Sequence, residues 1–230
     1  MNIPTVLLFD IDGTLISTGG AGRRALELAF AELHQREDAI KTFKLAGMTD
    51  RAIVRQGLEI IGQPPTDTAI AVLIAKYLEF LAVEVPKIEA DKYVVHPGML
   101  DAIAAGKKMG AAIGLGTGNV KDGAKIKLAR VGLFEAFNFG GFGDDHEMRP
   151  ELIRRGAQRG VKQLRVPWTE ARVVVIGDTP HDIAAAHAIE AQCMAVATGG
   201  FTVEQLKEAG ADWAFETLAA PGAIDVMLDG

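Results

Sequence analysis

The sequence has little cysteine, no excess of basic charge and no long apolar run, and each absence excludes a class of protein. Its one cysteine, Cys193, rules out an intramolecular disulfide, so we expect a reducing, cytoplasmic setting. No apolar run approaches the roughly 18 residues that cross a bilayer, and no basic segment leads into an apolar one near the N-terminus. Neither a membrane partner nor a secretory signal is therefore predicted. The formal net charge of −6 argues against general nucleic-acid binding.

What is present is an alternation of apolar runs with helical periodicity, on a chain of 230 residues. That length suits one large domain or a core with a smaller insert. The alternation is typical of a parallel sheet covered by helices on both faces, so we predict an α/β fold with a Rossmann-like, doubly wound parallel sheet. The strands are predicted at residues 5–9, 111–115, 134–139, 172–176, 194–197 and 213–215. Core helices are predicted at residues 98–108, 120–131, 149–158, 202–209 and 220–230.

Residues 17–92 form a block with helical patterns and no strand signal. We predict that this block is a small α-helical domain, inserted into a core made of residues 1–16 and 93–230. Three helices are predicted within it, at residues 23–33, 50–61 and 66–83. Asp50 and Thr66 are residue types that cap helices well, and we expect them to begin the second and third of these helices.

Two carboxylates stand directly after the first apolar run. Asp10 and Asp12 follow Phe9 on a chain that is still nearly extended, and their spacing of two favours the same side of the chain. In open parallel sheets, ligands bind just beyond the carboxyl ends of the strands. Two carboxylates this close cannot both stay ionised at low cost without a cation or a proton. Either a metal binds there, or one group is an acid and the other a base; a plain turn rich in Asp and Gly is the alternative.

A second strand end carries hydroxyl and amide groups. Thr117 lies in a Gly-Thr-Gly-Asn turn that leads into a helix. Its hydroxyl, with the backbone N–H groups of Gly118 and Asn119 at the start of that helix, suits a phosphate or another oxyanion. An ordinary helix N-cap is about as good an interpretation of the same turn.

A third strand end carries two more carboxylates. Asp178 follows the clearest buried strand, and a position facing Asp10 would make an oxygen-rich site suited to Mg²⁺. Asp182 falls in the first turn of the next helix, where a carboxylate is favourable for electrostatic reasons alone. In a doubly wound sheet these strand ends converge on one edge, so we expect a single site.

These residues together resemble the haloacid dehalogenase superfamily of phosphohydrolases. The resemblance rests on Asp10-Ile11-Asp12-Gly13-Thr14, then Thr117, then a basic residue, then Gly177-Asp178 with Asp182, and it spans nearly the whole chain. The first and last motifs are specific, whereas the middle two are weak taken singly. The helical block resembles the α-helical cap of phosphoglycolate-phosphatase-like members.

The resemblance implies a role for each motif residue. Asp10 would attack phosphorus and become an aspartyl phosphate, and Asp12 would protonate the leaving oxygen and then activate water. Mg²⁺ would be held by the Asp10 carboxylate, the Asp12 main-chain carbonyl and Asp178, with Asp182 supporting this metal shell. Thr117 would bind the phosphoryl oxygens. The chemistry is consistent, because a carboxylate nucleophile needs a cation to approach a phosphate dianion.

The third motif departs from the family pattern. The family usually has a lysine, often followed by proline, where this sequence reads Glu147-Met148-Arg149-Pro150. We assign Arg149 to the motif and to phosphate binding, since it keeps the charge and the neighbouring proline, although arginine is bulkier and prefers bidentate contacts. The alternatives are Lys121, Lys125 and Lys127 on the preceding helix, each of which is better interpreted as part of a solvated helix face.

The helical block offers candidates for contact with the leaving group. They are Arg23, Arg24 and three residues of one turn, Thr49, Asp50 and Arg51; surface or capping roles are the plainer interpretation of each. The glycine-rich run at residues 19–22 could act as a hinge for closure of this block.

The expected activity is that of a Mg²⁺-dependent phosphomonoester hydrolase that acts on a small phosphorylated metabolite. A sugar-phosphate mutase of the same superfamily is an alternative, because it would keep both acids of the first motif. The alternative from another class is a non-catalytic scaffold that binds phosphate and Mg²⁺ without turnover, which the departure at Arg149 keeps open.

Overall fold

The core is a six-stranded parallel sheet in the order β5-β4-β1-β6-β7-β8, seen in a computed structural model that describes residues 3–229. The strands are β1 (Thr5–Phe9), β2 (Ile16–Thr18), β3 (Tyr93–Val95), β4 (Ala112–Gly116), β5 (Phe139–Gly141), β6 (Arg172–Gly177), β7 (Gln192–Val196) and β8 (Trp213–Phe215). The helices are α1 (Ala21–His34), α2 (Asp50–Ile60), α3 (Asp67–Lys87), α4 (Met99–Lys108), α5 (Lys121–Ala129), α6 (Arg149–Leu164), α7 (Pro180–His187), α8 (Val203–Glu208) and α9 (Ala223–Asp229). The predicted Rossmann-like α/β fold is confirmed.

The central strand β1 explains how the sheet edge is organised. All five of its residues are buried, because β4 and β6 flank it and helices cover both faces of the sheet. Alternate residues enter different cores: Leu7 packs with α4, α5 and α9 on one face, and Leu8 packs with α6, α7 and α8 on the other. Phe9 is level with Leu115 of β4 and Ile176 of β6, so the three chains leave the sheet side by side.

The three helices α1, α2 and α3, which we call the helical insert, lie between β2 and β3. These two strands pair antiparallel, with Ile16 opposite Val95, and form a two-stranded ribbon. The prediction that residues 17–92 contain no strand is therefore wrong at its first residues, because the chain leaves and re-enters the core side by side. Thr66 caps α3 as predicted, but the N-cap of α2 is Thr49, whose hydroxyl accepts from the Ala52 amide, and not Asp50.

The predicted strand at residues 134–139 is wrong. Residues 134–136 form a short 3-10 turn, and the strand β5 begins only at Phe139. The aromatic residues of this segment suggested a strand, whereas two glycines form most of the real one. Gly141 packs directly on α6, where a β-carbon would overlap the Leu152 carbonyl, so the close approach of strand and helix requires glycine.

The remaining predicted elements occur, with shifted ends. The helix predicted at residues 149–158 extends to Leu164, and the one predicted at residues 66–83 extends to Lys87. Cys193 is fully buried in β7, as expected of a small core residue. Gly230, the last residue of the predicted tail helix, lies outside the described residues. Within residues 3–229, no helix is both long and apolar enough to cross a membrane.

Candidate active site

Polar side chains gather where β1, β4 and β6 end. The aligned registers bring Asp10 and Asp12 from β1, Thr117 from β4 and Asp178 from β6 to one edge of the sheet. A cavity of about 240 Å³ opens there, and the helical insert forms its opposite wall. The convergence predicted from the sequence is thus the geometry of the molecule, at the edge where ligands bind in parallel sheets.

Three buried carboxylates crowd the base of this cavity. Asp10, Asp178 and Asp182 each present an oxygen within 4.8 Å of the other two. Burial, together with repulsion from Asp182, raises the pKa of Asp10 to about 6 even though Arg149 opposes the shift. Burial and repulsion from Asp182 and Asp10 raise the pKa of Asp178 to about 8. Such shifts mark a place where a cation would be strongly stabilising.

The donor set fits a hard divalent cation. The carboxylate of Asp182 is already occupied, since Arg149 binds one oxygen and the Thr179 amide and hydroxyl bind the other. Asp178 receives the Thr14 hydroxyl on Oδ1 at 2.8 Å, and its Oδ2 lies where a β-carbon at Gly199 would overlap it. The carboxylates best placed to hold a metal such as Mg²⁺ are therefore those of Asp10 and Asp178, since carboxylate oxygen is the ligand that this ion prefers.

Arg149, the residue assigned to the third motif, lies beside the predicted nucleophile. It opens α6 ahead of Pro150, so its side chain starts at the same sheet edge. Its Nη2 is 2.8 Å from Asp10 Oδ2, and its Nε and Nη2 lie 3.0 and 2.6 Å from Asp182 Oδ1. Burial opposes the charge, but the two carboxylates hold the pKa of Arg149 above its usual value. A fixed guanidinium therefore bridges two of the clustered acids.

Asp12 has a different environment, two residues further along the chain. Its Oδ2 accepts from Lys127 Nζ at 2.7 Å and from Asn119 Nδ2 at 2.9 Å, and Thr18 donates to Oδ1 at 3.2 Å. Partial loss of hydration alone would raise the pKa of Asp12, but Lys127 and the hydrogen bonds outweigh this effect and lower the pKa below the usual value. The two acids of the first motif are thus shifted in opposite directions.

Lys127, which the sequence offered only as an alternative to Arg149, belongs to the site. Its interpretation as part of a solvated helix face is wrong, because Lys127 is buried, whereas Lys121 and Lys125 on the same helix are exposed as expected. A signal was available in the sequence. Lys127 falls on the apolar stripe that carries Ala124 and Leu128, and a charge on such a stripe requires a buried partner.

The turn predicted to bind phosphate joins these groups. The Thr117 hydroxyl hydrogen-bonds to Asp10 and accepts from Asn119 Nδ2 at 2.8 Å. The side-chain oxygen of Asn119, Oδ1, accepts from Lys127 Nζ at 2.6 Å, so the side-chain amide of Asn119 links Thr117 to the lysine. Gly118 contacts the helical insert through its carbonyl, which accepts from the Asp50 amide at 2.9 Å.

The candidate residues of the insert divide into two groups. Arg23 and Asp50 line the cavity, and Asp50 Oδ2 accepts from the Val120 amide at 2.9 Å. Thr49 lies next to the cavity wall and donates its hydroxyl to the Glu147 carbonyl. The last two point elsewhere and form ion pairs on the insert surface: Arg24 with Glu27, and Arg51 with Asp67.

Comparison with known proteins agrees with this geometry. Residues 4–190 match the sequence profile of a family described as haloacid dehalogenase-like hydrolases. The chain is 26% identical over 218 residues to a phosphoglycolate phosphatase of Synechococcus elongatus, a match that covers 92% of each chain. It is 25% identical over 206 residues to a probable phosphatase of Dickeya dadantii, with 89% of this chain and 86% of the relative covered.

Among solved structures, the fold is similar to that of CbbY from Rhodobacter sphaeroides in complex with phosphate. The two share 22% identity with a TM-score of 0.70, and the match covers 98% of this chain and all of the other. A predicted phosphatase from Clostridium acetobutylicum gives a TM-score of 0.71 at 18% identity, with 100% of both chains covered. At these identities the likeness concerns the fold.

Proposed function

The chain belongs to the haloacid dehalogenase-like hydrolases and is a phosphatase of that family; from this premise we propose that it hydrolyses a small phosphomonoester through an aspartyl phosphate on Asp10, with Mg²⁺ as cofactor. One observation carries the proposal. Asp10 lies at the base of a cavity between Arg149 and Asp178, with Asp12 directed into the same cavity. A nucleophile, a fixed cation, a metal ligand and a second acid are the groups that such a reaction requires.

In the first half of the reaction, an oxygen of Asp10 attacks phosphorus. The bond from phosphorus to the leaving oxygen breaks, and Asp12 donates a proton to that oxygen. Arg149 stays beside Asp10 and balances the negative charge of the approaching phosphoryl group. Thr117, hydrogen-bonded to Asp10, is placed to contact a phosphoryl oxygen.

In the second half, water replaces Asp10 on phosphorus. Asp12, now ionised, takes a proton from the water as the water oxygen bonds to phosphorus. The bond between phosphorus and Asp10 breaks in the same step. When bound, Mg²⁺ would be held by Asp10, Asp178 and the main-chain carbonyl of Asp12, and it would offset the repulsion between carboxylate and phosphate. Asp182 would hold Arg149 and the Thr179 turn in place around that metal site.

We propose that the helical insert, with residues 17–92, acts as a cap that encloses the substrate. Backbone and side chains of its Gly47 to Asp50 segment already contact Arg149, Gly118 and Val120 of the core. The cavity beneath it, about 240 Å³, favours a leaving group of a few carbon atoms over a nucleotide. Phosphoglycolate, the substrate in the name of one relative, is small enough to be among the first esters to test.

Release of inorganic phosphate from a panel of phosphomonoesters tests the proposal. Each ester is assayed with Mg²⁺ and with EDTA, for the native protein and for Asp10→Asn. We expect release that needs Mg²⁺ and falls by about three orders of magnitude or more in Asp10→Asn, because the amide is a far weaker nucleophile. An unchanged melting temperature controls for folding. Release by Asp10→Asn at the native rate would reject Asp10 as nucleophile. Binding of Mg²⁺ and phosphate without release from any ester would favour the scaffold.

A further inference from the structure

The buried amine of Lys127 makes more polar contacts than packing requires. Its side chain is only 5% exposed, and its Nζ lies 2.7 Å from Asp12 Oδ2 and 2.6 Å from Asn119 Oδ1. Its main chain is also tied down, because the Tyr93 hydroxyl donates to the Lys127 carbonyl at 2.8 Å. Both ends of this residue are therefore held in one arrangement.

Stability alone does not account for such an amine. Removing an ammonium group from water is costly, and its partners at best offset that cost. Buried ion pairs are often no more stabilising than apolar residues of the same volume. Lys127 sits on the apolar stripe of α5 beside Leu128, where a methionine would fill the same space. The feature that only a lysine supplies there is the pair of contacts to Asp12 and Asn119.

Those contacts divide the carboxylate of Asp12 into two unlike oxygens. Oδ2 is enclosed by Lys127 and Asn119, while Oδ1 meets only the longer bond from Thr18 at 3.2 Å. The Asp12 side chain remains 41% exposed and lines the cavity. The clamp therefore leaves Oδ1 as the less enclosed oxygen, and it fixes the orientation of the carboxylate plane.

We propose that Lys127 is a positioning residue for both proton transfers, acting through Asp12. This inference rests on the proposed function. In it, Lys127 neither gives nor takes a proton. It holds Oδ2 so that Oδ1 delivers its proton to the leaving oxygen as the bond from phosphorus to that oxygen breaks. The same oxygen then receives the proton of the attacking water as the bond from phosphorus to Asp10 breaks. Asn119 completes the clamp and joins it to Thr117.

The choice of leaving group distinguishes positioning from a merely structural role. An alkyl phosphate such as glycerol 1-phosphate has a poor leaving group that must be protonated, whereas p-nitrophenolate leaves without a proton. If Lys127 positions the acid, Lys127→Met should slow alcohol release in the first turnover by about 100-fold for the alkyl ester, and by less than about fivefold for the aryl ester. KM should change little, because the Lys127 amine is engaged by Asp12 and Asn119.

The second proton transfer gives an independent readout. With p-nitrophenyl phosphate, Lys127→Met should show a burst of nitrophenolate followed by slow phosphate release, because water activation by Asp12 is impaired while the first step is not. The burst amplitude, measured by rapid mixing against the enzyme concentration, reports the aspartyl phosphate that accumulates. The proposal would be overturned if Lys127→Met showed no burst and either slowed both esters equally or raised KM alone.

Two further variants make the result specific. Lys125→Met removes an exposed lysine of the same helix and should leave both esters unaffected. Lys127→Arg keeps a charge near Asp12 and should restore part of the alkyl-ester rate. If Lys127→Met fails to fold, the same comparison of esters in Lys127→Arg decides, since a displaced cation should still penalise the alkyl ester more. Failure of the native protein to release phosphate from either ester would instead count against the proposed function.

Discussion

The two acids of the first motif stand two residues apart, yet they lie in opposite electrostatic environments. Asp10 shares its space with Asp178 and Asp182, and burial with this repulsion raises its pKa to about 6 although Arg149 is bonded to it. Asp12 is partly exposed and faces Lys127, which together with the hydrogen bonds lowers its pKa below the usual value. In the first case Arg149 pairs with Asp10 and Asp182, and Asp178 adds a third acid. In the second, Lys127 lies near Asp12 and Asp50, and the Asn119 amide also donates to Asp12.

This difference shows that burial and the number of neighbouring acids affect the pKa of a carboxylate more than the presence of one cation does. Around Asp10 the acids outnumber the guanidinium, so the cluster is left with a need for positive charge that a metal would meet. Around Asp12 the local charges are closer to balance, so Lys127 and the hydrogen bonds favour its ionised form without a metal of its own. Environments that shift the pKa values of two neighbouring acids in opposite directions are typical of groups with separate catalytic roles.

The largest expected effect comes from removing the cation on the Asp10 side. Arg149→Ala would leave Asp10 and Asp182 buried without their partner, which should cost about 3–5 kcal/mol of unfolding free energy. It should also weaken inhibition by inorganic phosphate. Urea unfolding and the inhibition constant for phosphate measure the two effects.

Arg149→Lys is the matched control, since it keeps the charge and gives up only the fork. We expect it to retain most of the affinity for phosphate and to lose less than about half of the stability that Arg149→Ala loses. If Arg149→Ala had the stability and the phosphate affinity of the native protein, the role of the third motif would belong to another residue. The comparison of Asp10 with Asp12 would then no longer include a cation beside Asp10.

A smaller effect is expected at Asp50, the second acid near Lys127. Burial raises its pKa to about 6, against 3.8 in an unfolded chain, although Lys127 partly opposes this shift. Between about pH 4 and 6 the folded state therefore binds more protons than the unfolded state, so Asp50 makes stability fall as the pH rises through this window. The slope from one group is at most about 1.4 kcal/mol per pH unit.

Asp50→Asn should remove that contribution while its oxygen still accepts from the Val120 amide. The unfolding free energy of the variant minus that of the native protein should increase from pH 4 to 6 and then level off, in urea titrations at each pH. A difference that stays constant with pH would mean that Asp50 has the same pKa in the folded protein as in the unfolded chain. The variant also leaves Lys127 with Asp12 as its remaining acidic neighbour, which sharpens the comparison.

The smallest effect is expected from a partly exposed pair near the same loops. Arg55 on α2 binds Glu147 through Nε at 2.7 Å and Nη2 at 3.0 Å, with side chains 35% and 26% exposed. Arg55→Met should cost about 0.5–1 kcal/mol and less at high salt, by thermal unfolding. Arg36→Met, at the more exposed pair with Asp38, should have no measurable effect. An effect at Arg55 as large as that at Arg149 would show that burial is not what separates these pairs.

The sheet and its acids could be predicted because their signals are local. An apolar run that ends in Asp10 and Asp12 marks a strand end, and the rules for parallel sheets then place that end beside Thr117 and Asp178. Arg149 could be assigned to the third motif because it keeps the charge and the following proline of the family pattern that the sequence resembles. In each case the informative residues are neighbours in the chain.

Other features depend on contacts that no local pattern contains. Gly141 makes a strand only because α6 packs close to it, and the N-cap of α2 is Thr49 because the insert packs on the core at that point. Lys127 differs from Lys125 only in the direction it faces. An apolar stripe interrupted by a charge was the available clue, but its meaning depends on a carboxylate 115 residues away in the sequence.

The central position of β1 has a consequence for how the chain is made. This strand precedes its partners β4 and β6 in the chain, and they begin only at Ala112 and Arg172. On the ribosome, the apolar N-terminal segment must wait for most of the polypeptide before both of its edges are covered, whereas α1 and α3 can pack against each other much earlier. Asp10, the proposed nucleophile, therefore acquires its surroundings only after β6 has been synthesised.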